Sequence, residues 1–526
     1  MRRILYILIG LAMATTALGK GADTVKRIAT TEGTVVGKNI TLSGIVVSAC
    51  TSANMATNPN IAYNTVDVTV SARTAYIVDE QGRNGICLVF DNIYDNRLRR
   101  NTAVEVSLKG CTVRRIDAPT RYVVEGITAD CIAVKGENVA PPQRVIRYAE
   151  LQDEDIYTFV TLRDVEFVEK NGSLLNIYEP FALASPLNRA CSPNGYMDGW
   201  ATLLKDGDGS AVYMFLNTLC PWRRDGSGVP QGRGSVSGIV VAGEMLRYGG
   251  RVAKYAIRPI ERTDIAFDGA ERSQYTTIAE WNWDNNSEAA LDYELHGRLT
   301  GETDSHIMGD RVRADVGKGF LWSDVLAYTR TDEDYNATTA EAKGVRKYGG
   351  FRFESNLHDW FRFDGNRNVT GTNGVYVECS TAEATTGFLT LDFSVVAGNH
   401  SANHSWGYPA WWSVAYSTDG ITFREIEGSR FRLPAIAYKE ANIKRVGKRQ
   451  TACDAALGLT EHCVRLPQEL LGKERAVLRI APAEASYVDL PENPMEVRTD
   501  KSLPYGMLHF FVLKFGKITI QHKTTN

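Results

Sequence analysis

Apolar and polar residues alternate with period two along most of this chain. ITLSGIVV (Ile40–Val47), VEVSLKGCTV (Val104–Val113) and FLTLDFSVVAG (Phe388–Gly398) set the pattern: alternation or short β-branched runs, separated by turn residues. Helical spacing is confined to two short stretches, Arg147–Gln152 and Leu466–Leu471. The pattern predicts an all-β protein.

The first half repeats itself. Tyr76–Phe90, YIVDEQGRNGICLVF, reads as two strands around a polar turn and is followed by Asn92; Val104–Val113 and Arg121–Thr128 (RYVVEGIT) come next. The second copy keeps this order in Phe159–Val168 (FVTLRDVEFV), Trp200–Phe215 (WATLLKDGDGSAVYMF) with Asn217, Ser235–Val241 and Tyr255–Ile260. Gly110 and Gly238 correspond, at places where a small closed barrel needs a strand to bend. About five strands with a central hairpin per copy is what an OB-like barrel requires. The motifs L-S-G-I-V-V, Y-I-V-D-E-x-G-x-x-G-I-x-L-x-F and V-x-L-x-G resemble a domain of unknown function, OB-like in fold, from exported envelope proteins of Gram-negative anaerobes. That family has no common catalytic residues, so the resemblance implies a fold and an address.

Pro141-Pro142 separates the copies, and polarity rises again over Asp268–Gln274. The expected organisation is a leader at 1–19, barrels at 30–142 and 143–270, and a third unit at 271–526. Trp281 in AEWNWD opens the third unit, a polar insertion over Asn285–Gly344 shows few strand signals, and alternation resumes at Phe351. The motif W-x-V-x-Y-S-T-D-G-x-x-F, Trp412–Phe423, resembles the jelly-roll β-sandwich appended to secreted bacterial nucleases and carbohydrate-active proteins. Trp412, Val414 and Tyr416 fall on one strand face, and Asp419-Gly420 supplies a tight turn.

Composition changes the picture in one respect, the compartment. MRRILYILIGLAMATTALGK places two arginines before an apolar run that is too short to span a bilayer and ends in small residues, which predicts a secretory signal peptide. No later segment is apolar enough to span, so the product is expected in the periplasm, at the surface or outside the cell. A length of 526 residues exceeds a single core. A net charge of −3 provides no bulk attraction to nucleic acid. The nine cysteines are an odd number, so at least one stays unpaired in a monomer. Cys453 with Cys463, and Cys191 with Cys220, are spaced to close loops by disulfides. Cys87, Cys111 and Cys131 sit in apolar runs as small hydrophobes. No CxxC motif is present, and no cofactor is implied.

Candidate chemistry is thin. HSANHSWGYPAWW, from His400, reads as a loop at the end of the sandwich. His400 and His404 would share a face only on a helix, which Gly407 and Pro409 oppose, so no metal site is expected. Trp406, Tyr408 and Trp411 form an aromatic cluster suited to stacking on sugar rings, or to plugging the sandwich. Arg99 and Arg100 in the first barrel, and Trp222, Arg223 and Arg224 in the second, combine cations with an aromatic as single-strand binding requires. No G-x-S-x-G and no H-E-x-x-H occurs. Glu378, Asp392 and Glu425 are the carboxylates available to a hydrolase. The leading expectation is a non-enzymatic binding or surface-assembly protein contacting glycan or another envelope protein. The alternatives are a nucleic-acid-binding accessory protein using the barrels and a polysaccharide hydrolase using the sandwich carboxylates.

Overall fold

The computed structural model describes residues 21–49, 72–170, 200–216, 229–245, 250–269, 271–282, 303–306, 311–330, 350–398, 406–433, 460–490, 497–498 and 510–525. Within them the chain is almost entirely β-structure. The leader Met1–Gly19 lies outside this set. The two segments with helical spacing form short 3-10 turns, Tyr148–Glu150 and Gln468–Leu470. The one α-helix among the described residues, Ala22–Ile28, was not expected. Its seven residues span under two turns, and it holds its place by burying Ala22 and Val25 against the first sheet.

The first group of strands is β1 (Thr34–Val35), β2 (Thr41–Val46), β3 (Thr74–Val78), β4 (Ile86–Phe90), β5 (Ala103–Ser107), β6 (Thr112–Ile116), β7 (Arg121–Ile127) and β8 (Ile132–Gly136). The second is β9 (Arg144–Ile146), β10 (Phe159–Phe167), β11 (Trp200–Lys205), β12 (Ala211–Leu216), β13 (Gly234–Met245), β14 (Gly250–Arg258) and β15 (Ile265–Ala266). In the second, β10–β11–β12–β14–β13 closes on itself, because β13 pairs with both β14 and β10. The first has the same order, β2–β3–β4–β7, with β4 parallel to β7 as β12 is to β14. There the long bent strand is split in two: β5 pairs with β2, and β6 pairs with β7. The break falls at Gly110, whose φ of +88° no other residue adopts readily. In β13 the bend falls at Gly238, where a Cβ would stand 2.5 Å from the Arg258 carbonyl oxygen. Two different demands put glycine at the same corner.

The two hairpins are built alike. Asp79 Oδ1 accepts from the backbone N–H of Gln81 and Arg83, at 3.0 and 2.8 Å. Asp206 Oδ1 accepts from those of Asp208 and Ser210, at 2.9 and 2.8 Å. The aspartates of Asp206–Gly209 thus do turn work. The first two groups of strands share one apolar cluster, in which Ile45, Tyr76 and Cys87 of the first meet Ile156, Val160 and Ile239 of the second. Tyr76 and Tyr157 stack across the joint at 4.8 Å.

The third group forms two large sheets over one core, with two small sheets of two and three strands beside them. In one, Phe510–Lys523 pairs along one edge with Gly350–Asn356 and Thr276–Trp281, and along the other with Phe388–Gly398, which carries Thr460–Arg465. The second sheet runs Val312–Arg313, Gly319–Ser323, Val375–Cys379, Ala476–Pro482, Trp411–Ser417, Arg424–Glu425. Trp281, Trp360 and Trp412 are fully enclosed between them. Each indole N–H is satisfied: by Val312 O at 3.2 Å, Ser355 Oγ at 2.9 Å and Pro409 O at 2.9 Å. The insertion expected to be poor in strands instead supplies strands to both sheets and buries Val312, Leu321 and Ala327. Its strands run two to five residues, too short to show a period.

Barrel two is joined to the first of these sheets by buried polar contacts. Lys205 is 0% exposed, and its Nζ lies 2.5 Å from Asp392 Oδ2 and 3.9 Å from the Tyr275 ring centre. It also donates to Thr390 Oγ1 and Gln521 Oε1. Leu203 N donates to Glu461 Oε2 at 3.0 Å, and Arg465 donates to Asp208 O at 2.9 Å.

Candidate functional site

A two-sheet body has two outer faces. On the first sheet the outward positions are Thr390, Asp392, Ser394, Glu461, Thr519 and Gln521, all polar and all buried. Barrel two lies against that face, as the Lys205, Leu203 and Arg465 contacts show. A cleft remains there between Glu169, Asp392, Ser394, Glu461 and Lys517, but its free volume of ≈10 Å³ holds no more than a water. On the outer face of the second sheet Phe320, Trp322, Tyr376 and Glu378 stay half-buried, whereas Ser413, Ser417, Val477 and Ala481 are buried.

Strict alternation decides what that face carries. In GFLWS, Leu321 points inward while Phe320 and Trp322 point out; in VYVEC, Val375 and Val377 are enclosed while Tyr376 and Glu378 point out. Register sets Trp322 opposite Tyr376, Phe320 opposite Glu378, and Tyr376 opposite Arg479. Trp322 and Tyr376 stack at 5.2 Å with planes 7° apart, and Phe423 meets Tyr376 edge-on at 5.7 Å. Rings stacked across neighbouring strands stand upright on the sheet, so their edges face outward.

Charged groups are interleaved with the rings. The Arg311 guanidinium lies 4.5 Å from the Phe320 ring centre and 4.8 Å from that of Trp322. It pairs with Glu378 at 2.6 Å, and Arg475 reaches the same carboxylate at 3.0 Å. Tyr376 Oη donates to Asp324 Oδ2 at 2.8 Å, and Arg362 pairs with Asp324 at 3.2 Å. Burial first, then the Asp324 carboxylate, holds the Tyr376 phenol above its ordinary range, so it stays a donor. Arg311 and Arg475 share Glu378, Arg362 divides its donors between Asp324 and Asn373, and Arg479 donates to Thr372.

Most residues singled out from sequence lie elsewhere. Trp406–Pro409 is a strand paired with Tyr487–Leu490, where a loop was expected. Tyr408 is 1% exposed and belongs to the core, so it offers no ring face to a ligand. Trp411 is half-buried and packs on that core; the Trp406 ring, His400 and His404 lie outside the described set. Arg99 is exposed, but Arg100 sits 4.1 Å from the Phe159 ring centre, in the joint between barrels. That cation serves a fixed contact within the chain, which the nucleic-acid reading did not foresee. Trp222, Arg223, Arg224, Cys191, Cys220 and Cys453 lie outside the described residues. Cys463 is a free thiol in the joint, 3.8 Å from Gly209 O, where the expectation had placed a disulfide.

The three carboxylates proposed for hydrolysis are separated. Asp392 belongs to the first sheet and is paired with Lys205. Glu378 and Glu425 share the second sheet but stand three strand spacings apart, about 14 Å, beyond the separation either glycosidase geometry uses. Among the described residues no group of three or more His, Cys, Asp or Glu side chains is arranged to hold a metal ion. No helix among them is long and apolar enough to cross a membrane.

No protein-family model and no curated protein matches the sequence. Among solved structures the chain is similar to the K2 cleaved adhesin domain of Lys-gingipain (Kgp), at 12% identity and a TM-score of 0.17, over 47% of this chain and 97% of that one. It is also similar to SGBP-B from a complex xyloglucan utilization locus in Bacteroides uniformis, at 10% identity and a TM-score of 0.22, over 93% of this chain and 97% of the other.

Proposed function

We propose that this chain is an exported, non-enzymatic binding protein that contacts glycan through the outer face of its second C-terminal sheet. The barrels are read as OB-like and the two-sheet body as a jelly roll. The carrying observation is the Phe320–Trp322–Tyr376–Phe423 row with four arginines around it, on the one outer face that barrel two leaves uncovered. Upright rings give apolar ridges against which sugar C–H groups pack, and guanidinium groups donate to hydroxyl and carboxylate oxygens. A ligand rich in acceptor oxygens fits a face that carries four guanidinium groups. The leader pattern at Met1–Gly19 supports export.

The test is titration calorimetry of the full chain against a panel of neutral and acidic polysaccharides. Trp322→Ala and Arg475→Ala are each expected to weaken binding about tenfold or more, roughly 1.4 kcal/mol. Arg475 has 49% of its side chain exposed, so its loss leaves the fold intact. Trp411→Ala, in the cluster that the sequence singled out, is expected to bind as the parent does. Affinity unchanged by both Trp322→Ala and Arg475→Ala would remove the assignment.

A further inference from the structure

Two cysteines of the first barrel converge from different turns. Cys111 lies between β5 and β6, with its Sγ 3.8 Å from Ser107 O and 3.5 Å from Gly126 O. Cys131 lies between β7 and β8, with its Sγ 3.4 Å from Thr128 Oγ1. Antiparallel pairing of β5 with β8 sets Val106 against Ile132, and one step further along the register sets Ser107 against Cys131. The same Ser107 is within reach of the Cys111 thiol. Pairing of β6 with β7 brings Cys111 in from the other side: its Cα is 3.8 Å from where a Gly126 Cβ would stand. Cys131 packs against the same apolar cluster that encloses Cys111.

We infer that Cys111 and Cys131 are a redox pair, oxidised to an intrachain disulfide by a small-molecule or protein disulfide. The bond ties the β5–β6 corner to the β7–β8 corner. Both carry free thiols. Exposure orders the steps. Cys131 is half-buried, whereas Cys111 is 1% exposed. The Cys131 thiolate attacks the oxidant's disulfide, forming a mixed disulfide and releasing one thiol. Cys111 then gives up its proton, attacks the Cys131 sulfur and releases the second thiol. Two protein thiols are oxidised and one oxidant disulfide is reduced to two thiols, so electrons and protons balance. Burial, then the neighbouring Cys131, pushes the Cys111 thiol up to about 11, so its thiolate is scarce and its attack on the mixed disulfide is the slow step. The other free thiols described, Cys87, Cys379 and Cys463, lie in other clusters or at the joint.

The test uses the folded full chain, reduced and then exposed to oxidised glutathione, alkylated and digested with trypsin without reduction. Cleavage after Lys109, Arg114, Arg121 and Lys135 yields GCTVR (Gly110–Arg114) and YVVEGITADCIAVK (Tyr122–Lys135). The expected product is these two peptides joined, two hydrogens lighter than their sum. Cys131→Ser should abolish the linked species and leave Cys111 unmodified; Cys111→Ser should leave Cys131 as the glutathione adduct. Oxidation should raise the thermal midpoint of the parent by several degrees and leave that of Cys111→Ser unmoved. Recovery of both peptides separately alkylated from folded, oxidant-treated protein overturns the pair. So does either cysteine linked to a different partner.

Discussion

Replacing Lys205 by methionine tests how barrel two is fastened to the two-sheet body. The side chain is wholly enclosed, and its partners all come from the third group of strands or its approach: Thr390 and Asp392 on Phe388–Gly398, Gln521 on Phe510–Lys523, and the Tyr275 ring. Methionine fills most of the same volume, so little of the effect comes from a cavity. What remains is electrostatic. Asp392, 4% exposed, loses its countercharge and stays buried. Breaking such a pair costs about 3–5 kcal/mol, because the survivor keeps its desolvation penalty without the attraction. In a body of this size that is a fall on the order of 6–10 °C in thermal midpoint. Scanning calorimetry reads it directly, and the first transition should separate barrel two from the sandwich. Pairing Lys205→Met with Asp392→Leu should restore most of the loss, since an apolar pair replaces two charges. A single variant within about 1 kcal/mol of the parent, or a double variant as damaged as the sum of its parts, would refute the reasoning.

Two further perturbations probe the other joints. His462 is buried beside Phe393 and Phe431, bonded through Nε2 to Thr460 Oγ1 at 2.9 Å, and burial lowers its pKa to about 3. A folded value below the unfolded one near 6.5 means the stability is whole above that pH and is lost as pH falls toward 3. At pH 4.5 the loss is about 3 kcal/mol, and His462→Gln should flatten that part of the midpoint–pH curve; an unchanged slope argues against it. Gly85→Ala would bring a methyl group to 2.1 Å from Ile156 O, a backbone atom across the barrel joint. The expected cost is about 1–3 kcal/mol, read as a lower urea midpoint, and an unmoved midpoint means the barrels pack otherwise.

The two hairpins were legible because their signals are local. Asp79 with Gly82, and Asp206 with Gly209, mark hairpin turns within five residues of sequence, and the alternation on either side fixes two strands each time. The contact face was not legible, because Trp322 and Tyr376 meet only through strand register. Sequence density drew attention to Trp406–Trp412 instead. Density does not tell inside from outside: Trp412 and Tyr408 went to the core, while the sparse alternation of Phe320 and Trp322 left its rings half-buried on the outer face. Arg100 failed as a surface cation for a related reason. A cation beside an aromatic reads the same in a binding groove and in a joint between two bodies.

Burial of polar positions locates the face more firmly than the aromatic count does. Thr390, Asp392, Gln521 and Thr519 alternate with Leu389, Leu391, Ile520 and Ile518, a pattern that in an isolated body would mean one wet face and one dry. Here both are dry, because barrel two has taken the wet one and paired its charges. On the second sheet the outward positions of Gly319–Ser323 and Val375–Cys379 are half-buried and hold rings and a carboxylate flanked by guanidinium groups. Since the Lys205 contacts and the ring row belong to opposite sheets, Lys205→Met should loosen the joint while leaving ligand affinity as it was. An affinity that fell with it would mean that the ligand spans both bodies.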